Sequence, residues 1–129
     1  MREARQSAMQ IRKRFRFEAA HHLPHHAGKC ARPHGHSYRL EVAVRGEVRS
    51  DGPASGMVED FDALEAVVER TIIDVVDHRS LNELIENPTC ELIVLWIWKR
   101  LQPGLPGLDE LILWETDTSC AALRATDLA

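Results

Sequence analysis

The stretch CARPHGHSYRLEVAV, residues 30–44, decides the fold of this chain. From His34 onward its residues alternate between two kinds. One parity carries a set that a sheet would bury: His34, His36, Tyr38, Leu40, Val42 and Val44. The other parity is mainly polar, with Ser37 and Glu41 as examples. Because successive side chains of a strand point to opposite faces, residues 34–48 are predicted to form a half-buried strand.

The same alternation occurs upstream, over residues 11–21, where the apolar parity ends at His21. Residues 22–33 contain two prolines and a glycine and are predicted to form a loop that carries Cys30. One long loop therefore connects the two predicted strands. Antiparallel pairing would place the end of the first strand beside the start of the second.

Two helices and two short strands follow. Residues 61–76 repeat apolar side chains at three- and four-residue steps, which predicts an amphipathic helix capped by Asp60 or Asp62. A second helix is predicted from a cap at Asn87 or Thr89 to about residue 101, because Pro and Gly follow it. Short apolar strands are predicted at residues 111–115 and around residues 120–123.

This order of elements, β-β-α-α-β-β, predicts an α+β domain with a four-stranded antiparallel sheet and two helices on one face. The other face of the sheet would need a partner, which favours a homo-oligomer. Residues 1–10 are polar without a clear period and are predicted to be a loose leader. Residues 11–124 form the predicted single domain, and residues 125–129 a C-terminal tail.

Composition excludes several classes of protein. The chain has 129 residues, with 16 Lys and Arg against 20 Asp and Glu, so its net charge of −4 gives no basic field for direct nucleic-acid binding. Three widely spaced cysteines do not suggest a disulfide framework, so a reducing cytoplasm is expected. The longest apolar stretch, residues 92–98, is too short to span a membrane.

Six of the seven histidines lie between residues 21 and 36. His34 and His36 are two apart on a predicted strand, so their imidazoles share one face, and strand pairing would add His21. Three neutral imidazoles and a water form an open tetrahedral zinc site of the catalytic kind. Two alternatives remain open: hydrogen-bonded core histidines, and a structural zinc closed by Cys30 as fourth ligand. The other three are interpreted as ordinary loop residues: His22, His25 and His26.

Three further positions carry candidate acid–base groups. Cys30 lies next to Lys29, in surroundings that favour the thiolate, and is a candidate base or nucleophile. Asp77 and His78 end the first predicted helix and form either a proton relay or a simple helix cap. Glu115 follows an apolar strand, where a carboxylate either binds a ligand with adjacent N–H donors or has already emerged into solvent.

Six motifs occur together in order: FEAAH (17–21), CARPHGHSY (30–38), GMVEDF (56–61), DHRSLN (77–82), NPTCE (87–91) and ET (115–116). With them the chain resembles the 6-pyruvoyl-tetrahydropterin synthase superfamily over about residues 15–122. The resemblance implies a tunnelling fold, in which sheets from several subunits join into a barrel, commonly a hexamer made of two trimers.

The resemblance also implies roles for individual residues. It implies Zn²⁺ on the three histidines and a pterin as the small-molecule substrate. It implies Cys30 as the catalytic base, Asp77 and His78 as partners that complete the triad across a subunit boundary, and Glu115 as the group that grips the pterin. Thr89 and Glu91, in the NPTCE motif, are expected to line the pterin pocket.

The three-residue gap between Cys30 and His34 is similar to that of the bacterial 6-carboxytetrahydropterin synthases of queuosine biosynthesis. That likeness implies a zinc-dependent carbon–carbon lyase, which converts 7,8-dihydroneopterin triphosphate to 6-carboxy-5,6,7,8-tetrahydropterin, acetaldehyde and triphosphate. Two alternatives are carried forward: the pyruvoyl-forming activity of the same superfamily, and a non-catalytic assembly module stabilised by zinc.

Overall fold

The structure is a computed structural model that describes residues 7–129. Its strands are β1 (Ala8–His21), β2 (His34–Glu47), β3 (Arg79–Ser80), β4 (Leu108–Trp114) and β5 (Cys120–Arg124). Helix α1 has three parts: an α-helical part (Phe61–Val68), a π-helical part (Glu69–Ile73) and a last α-helical turn (Asp74–Val76). Helix α2 is Cys90–Leu101. Short 3-10 turns occur at Lys29–Ala31, Leu81–Glu83, Gln102–Gly104 and Ala125–Asp127.

The five strands form one mixed sheet in the order β3-β1-β2-β4-β5. The pairs β1–β2, β2–β4 and β4–β5 are antiparallel, as predicted, whereas β3 runs parallel to β1. The prediction of a four-stranded, purely antiparallel sheet is therefore wrong. It missed β3 because a strand of two residues carries no alternation to detect.

The core lies between one face of this sheet and the two helices. The apolar parities of β1 and β2 are buried there, together with alternate residues of β4, and the inner sides of α1 and α2 complete a single cluster. Phe17 and Tyr38 stack within it, with ring centroids 4.9 Å apart. The predicted α+β layering, with both helices on one face of the sheet, is thus observed.

Strand β1 begins earlier than the sequence indicated. Residues 8–10, which were predicted to belong to a loose leader, pair with residues 45–47 of β2. They escape the pattern because Met9 and its neighbours are largely exposed, so no buried parity distinguishes them. Of the rest of the predicted leader, Ser7 accepts the N–H of Val48 with its carbonyl at 3.1 Å, and residues 1–6 lie outside the described residues.

Both helices begin at predicted caps. The Asp60 side chain accepts a hydrogen bond from the backbone N–H of Asp62, 2.7 Å away. The Thr89 hydroxyl accepts one from Leu92, 3.2 Å away, so Thr89 rather than Asn87 caps α2. Each cap satisfies a backbone donor that has no partner within its own helix.

The π-helical part of α1 has a packing reason. The helix buries four residues at successive four-residue steps: Leu64, Val68, Ile72 and Val76. A regular α-helix has about 3.6 residues per turn, so strict four-residue steps drift around its surface. A wider π turn slows that drift and keeps the four side chains directed at the sheet. The predicted stripe also included Phe61, which instead is half exposed at the start of the helix.

The face of the sheet away from the helices is charged. Arg12 pairs there with Glu41 of β2 and Glu110 of β4, and Arg39 of β2 pairs with Asp117 in the turn between β4 and β5. A groove on this face runs past Trp114. Within residues 7–129 no helix is both long enough and apolar enough to cross a membrane.

Candidate metal centre

Three histidines meet at the end of the β1–β2 ladder, and we call them the histidine triad (His21, His34 and His36). The register places His21 directly opposite His34, because β1 ends and β2 begins at this pair. His36 lies one step further along the same face of β2. The ring centroids are 4.6 to 5.1 Å apart, and one nitrogen from each ring lies within 4.8 Å of the others.

The triad has the nitrogen chemistry of a metal site. His21 Nδ1 contacts the carbonyl oxygen of Pro88 at 2.8 Å, and His34 Nδ1 contacts that of Arg32 at 2.7 Å. A carbonyl only accepts hydrogen bonds, so in both rings Nδ1 carries the proton and the Nε2 lone pair is left for a cation. The Nε2 atoms of His21 and His36 are buried without a hydrogen-bond partner. Buried polar atoms in proteins usually have a partner, so these two nitrogens fit ligands for a metal ion; Asn87 Oδ1 is a third buried atom without one.

The surroundings favour neutral imidazoles, the form that binds a metal. Burial lowers the pKa of His21, which is 1 % exposed, and outweighs the raising effects of the Pro88 carbonyl and of Glu115. Burial likewise lowers the pKa of His36 against the opposing charge of Glu115. In each case the neighbouring imidazoles lower the pKa further, because two positive charges at this distance repel.

Among residues 7–129, the side chains close enough to share one ion are the three histidines, and Cys30 is not one of them. This grouping gives no support to the alternative of a closed structural site with Cys30 as fourth ligand. Cys30 lies in the 3-10 turn Lys29–Ala31, half-buried, and its carbonyl accepts a hydrogen bond from Leu23 N–H at 2.8 Å.

Glu115 adds a carboxylate to the triad. It follows β4 directly, and its Oε1 lies 3.7 Å from His36 Nε2 with 27 % of the side chain exposed. The alternative that the strand has simply emerged into solvent does not describe this position. A pocket beside it is lined by His36, Glu115, Thr116 and Asp117, together with Arg16 and Arg39 of the sheet.

Asp77 and His78 form a contact pair at the end of α1. His78 Nδ1 lies 2.9 Å from Asp77 Oδ2, and the other oxygen, Oδ1, accepts the backbone N–H of Glu18 at 2.9 Å. The Glu18 N–H, followed by His78, lowers the pKa of Asp77. The carboxylate is therefore held ionised and fixed in place, as a residue that orients a histidine requires.

His78 itself has an unusual backbone. Its φ of +60° lies in the left-handed region, which L residues other than Asn, Asp and His rarely adopt. The turn lets its N–H bond to Glu18 O at 2.6 Å and exposes 77 % of its side chain. A second pocket is lined by His78 and Ser80 together with Gly35 and His36 of β2.

The remaining predicted residues separate into two groups. The Thr89 hydroxyl is engaged in capping α2, and Glu91 is exposed in the first turn of that helix. The three extra histidines make loop contacts instead of joining the triad: His22 with Asn82, His25 with Glu86 and His26 with Gly28.

The sequence did not single out three groups that support the site. Tyr38 is fully buried, with its hydroxyl 3.4 Å from His21 Nδ1, and burial raises its pKa far above the ordinary value. Tyr38 has the same strand parity as His34 and His36, and this signal could have placed it on the face of the triad. The Pro88 carbonyl and the Asn82 side chain left no such signal, because their roles depend on contacts between distant segments.

The other two cysteines lie in different environments. Burial raises the pKa of Cys90 to about 12, and its Sγ donates to the Leu113 carbonyl at 3.4 Å, so Cys90 is a packing residue. Cys120 differs, because it is exposed on the edge strand β5.

Comparison with known proteins gives a consistent result. The family model described as 6-pyruvoyl tetrahydropterin synthase matches residues 10–126. A 6-carboxy-5,6,7,8-tetrahydropterin synthase from Synechocystis sp. is 45 % identical over 115 residues, which cover 86 % of this chain and 89 % of that one. A dihydroneopterin monophosphate aldolase from Pyrococcus furiosus is 41 % identical over 105 residues, or 79 % of this chain and 85 % of that one.

The fold also matches a solved structure, that of the Caenorhabditis elegans 6-pyruvoyl tetrahydropterin synthase. The TM-score is 0.82 at 27 % sequence identity, and the match covers 94 % of this chain and 98 % of the other.

Proposed function

The chain belongs to the 6-pyruvoyl tetrahydropterin synthase family of enzymes, and from that premise we propose that it is a zinc-dependent carbon–carbon lyase acting on a dihydropterin. The proposed reaction converts 7,8-dihydroneopterin triphosphate and one water to 6-carboxy-5,6,7,8-tetrahydropterin, acetaldehyde and triphosphate, as a cytoplasmic step of queuosine biosynthesis. The observation that carries the proposal is the pair of buried, unpartnered Nε2 atoms of His21 and His36 beside the Glu115 carboxylate.

The histidine triad is the proposed zinc site. All three donors are imidazoles, a set that suits zinc, and three protein ligands leave a position open for substrate. Zinc bound there supplies Lewis acidity toward the oxygen atoms of the substrate side chain. The carbonyl of Pro88 fixes the orientation and tautomer of His21, and the carbonyl of Arg32 does the same for His34.

Cys30 is the proposed base. It lies on residues 22–33, the loop that joins two residues of the triad, so it stays near the substrate side chain that they hold. Its thiolate would remove a proton from the side-chain carbon next to a hydroxyl.

His78 is the proposed proton carrier, oriented by Asp77. The carboxylate receives the Glu18 N–H on one oxygen and His78 Nδ1 on the other, which leaves His78 Nε2 as the exchanging atom. Because the imidazole is exposed, we propose that a neighbouring subunit covers it and completes the site across the boundary.

Glu115 is the proposed pterin anchor. A carboxylate matches the adjacent N–H groups of the pterin ring edge with two parallel hydrogen bonds, a contact that discriminates against rings that lack them. Its place beside the triad would put the pterin side chain at the metal. Thr89 and Glu91 remain proposed lining residues of this pocket, Thr89 chiefly by fixing the start of α2 behind Pro88.

We propose a homo-oligomer, a hexamer made of two trimers whose sheets join into a barrel. Strand β3 pairs with only two residues of β1, Ala19 and Ala20, so within residues 7–129 most of the outer edge of β1 has no strand beside it. Strand β5 forms the other edge. Open edges of this kind are normally paired or protected. Light scattering at micromolar concentration should give the mass of six chains, and a monomer would contradict this part of the proposal.

The activity test incubates zinc-loaded protein with 7,8-dihydroneopterin triphosphate and identifies products by mass spectrometry. 6-Carboxytetrahydropterin together with acetaldehyde is the expected result. A 6-pyruvoyl product would assign the sister activity of the same family. The His34→Ala variant is the matched control, because it removes one ligand from a partly exposed position and should abolish turnover.

A second substrate belongs in the same experiment. The 41 % identical relative is named for aldolase action on dihydroneopterin monophosphate, so that compound should be supplied in parallel. Faster turnover of the monophosphate would move the chain to that activity. If neither compound is turned over by the zinc-loaded protein, the reading as a non-catalytic assembly module replaces the enzymatic one.

A further inference from the structure

A single hydrogen-bonded seam joins the candidate catalytic groups within one subunit. Residues 77–82 run beside the end of β1, starting where Asp77 Oδ1 accepts the N–H of Glu18 and the N–H of His78 bonds to the carbonyl of Glu18. The seam continues through the parallel pairing of β3 with Ala19 and Ala20. The backbone ladder stops there, because Leu81 turns into a 3-10 helix.

Asn82 carries the seam one residue further with its side chain. Its Oδ1 accepts the backbone N–H of His22 at 2.9 Å, and its Nδ2 donates to the carbonyl of His22 at 2.9 Å. The amide thus makes both hydrogen bonds that a neighbouring strand would make with that residue. The same Nδ2 lies 3.5 Å from His22 Nε2, and the side chains are partly buried.

The residue that Asn82 grips links the triad to the loop of Cys30. His22 directly follows His21, a member of the triad, and directly precedes Leu23. The N–H of Leu23 donates to the carbonyl of Cys30 at 2.8 Å and closes the loop, and the N–H of His26 bonds back to the carbonyl of Leu23 at 3.0 Å. Fixing His22 therefore fixes the base of the turn on which Cys30 lies.

We propose that Asn82 is a positioning residue, which sets the Cys30 loop relative to the histidine triad of the same chain. It touches neither the triad nitrogens nor Cys30 Sγ in these contacts; it acts through the backbone of His22. The inference rests on the proposed function, because it matters for turnover only if Cys30 acts on a substrate held at the triad. We call the two hydrogen bonds from Asn82 to the His22 backbone the Asn82 clamp. Catalysis is sensitive to displacements of about 1 Å, so loss of this clamp should lower kcat more than it weakens substrate binding.

The test compares Asn82→Ala with His25→Ala in the zinc-loaded protein. His25 also links the loop to the segment after β3, through Glu86 at 3.2 Å, but both side chains are largely exposed. Asn82→Ala should lower kcat by about 10- to 100-fold with KM nearly unchanged and one metal per chain retained. In the same variant, amide exchange at Leu23 should accelerate, whereas His25→Ala should change neither quantity.

A merely structural role for Asn82 is tested by two further variants. Asp60→Ala removes the cap of α1 away from the seam and should lower stability without lowering kcat. Asn82→Asp keeps an acceptor for the His22 N–H but loses the donor to the His22 carbonyl, so its kcat should fall between those of wild type and Asn82→Ala. An unchanged kcat in Asn82→Ala would overturn the inference, as would loss of metal in proportion to the loss of turnover.

If Asn82→Ala does not fold, amide exchange in the unaltered protein still tests the Asn82 clamp. The N–H groups of His22 and Leu23 should both be strongly protected, and exchange at the rate of a free peptide at His22 would overturn the clamp. These measurements need no substrate. If wild type shows no turnover while the protection is present, it is the proposed function that fails and not the clamp.

Discussion

Replacing His78 with Gly separates its backbone role from its side-chain role. At φ +60° an L residue pays about 1–2 kcal/mol for the left-handed conformation, a cost that Gly does not have. Gly also gives the unfolded chain more conformational freedom, which lowers the free energy of unfolding by about 0.4–1 kcal/mol and offsets part of the relief of backbone strain. The imidazole is 77 % exposed, so its contact with Asp77 contributes little to stability. The free energy of unfolding of His78→Gly should therefore lie within about 1 kcal/mol of the wild-type value.

The matched variant is His78→Ala, which keeps the left-handed cost and also lacks the imidazole. In chemical denaturation its free energy of unfolding should be about 1 kcal/mol lower than that of His78→Gly. If the imidazole carries protons, both variants should lose about 10²- to 10⁴-fold in kcat despite their different stabilities. The exposed position should also let added imidazole restore part of the turnover of His78→Gly.

Two results would refute this reasoning. Turnover of His78→Gly close to that of wild type would remove the imidazole from the mechanism. A His78→Ala protein more stable than His78→Gly would show that the left-handed conformation at this position carries no cost. His25→Ala, a change of another exposed histidine outside the triad, serves as the control and should leave kcat unchanged.

Further predictions concern the metal and its neighbours. Cys30→Ala should keep one zinc per chain by elemental analysis while turnover collapses; loss of the metal would instead make Cys30 a ligand. Glu115→Gln should raise KM for the pterin substrate about tenfold or more with zinc content unchanged, because one of the two acceptor oxygens becomes an NH2 group that cannot accept the second N–H. In metal-free protein, the lowered pKa values of His21 and His36 mean that the unfolded chain binds more protons below about pH 6.5. The free energy of unfolding should therefore decrease as pH falls from about 6.5 toward those lowered pKa values, and a urea titration showing no such decrease would contradict burial as the cause.

Much of the sheet was predictable because its signal is local. The alternation of residues 34–44 sets β2, and the equivalent pattern in β1 ends at a histidine that the register then pairs with His34. The grouping of the triad followed from parity together with the expected pairing of the two strands. Helix α2 was equally predictable, because the residues at its two ends, a capping residue before it and Pro-Gly after it, mark where it begins and ends.

What the sequence did not reveal depends on contacts between distant segments. Strand β3 is two residues long and exists because residues 77–82 lie along β1, which no periodicity reports. The Asn82 clamp and the Pro88 carbonyl behind His21 arise from the same cause. The π turn of α1 reflects its packing on the sheet, whereas the local pattern only indicated an amphipathic helix.

Titration of metal-free protein with zinc, while turnover of 7,8-dihydroneopterin triphosphate is followed, tests whether the histidine triad holds a catalytic zinc ion. Formation of 6-carboxytetrahydropterin should rise in proportion to added zinc and stop rising at one equivalent per chain, and His34→Ala should show no such rise. Full turnover without metal would contradict it, as would one tightly bound zinc per chain with no turnover.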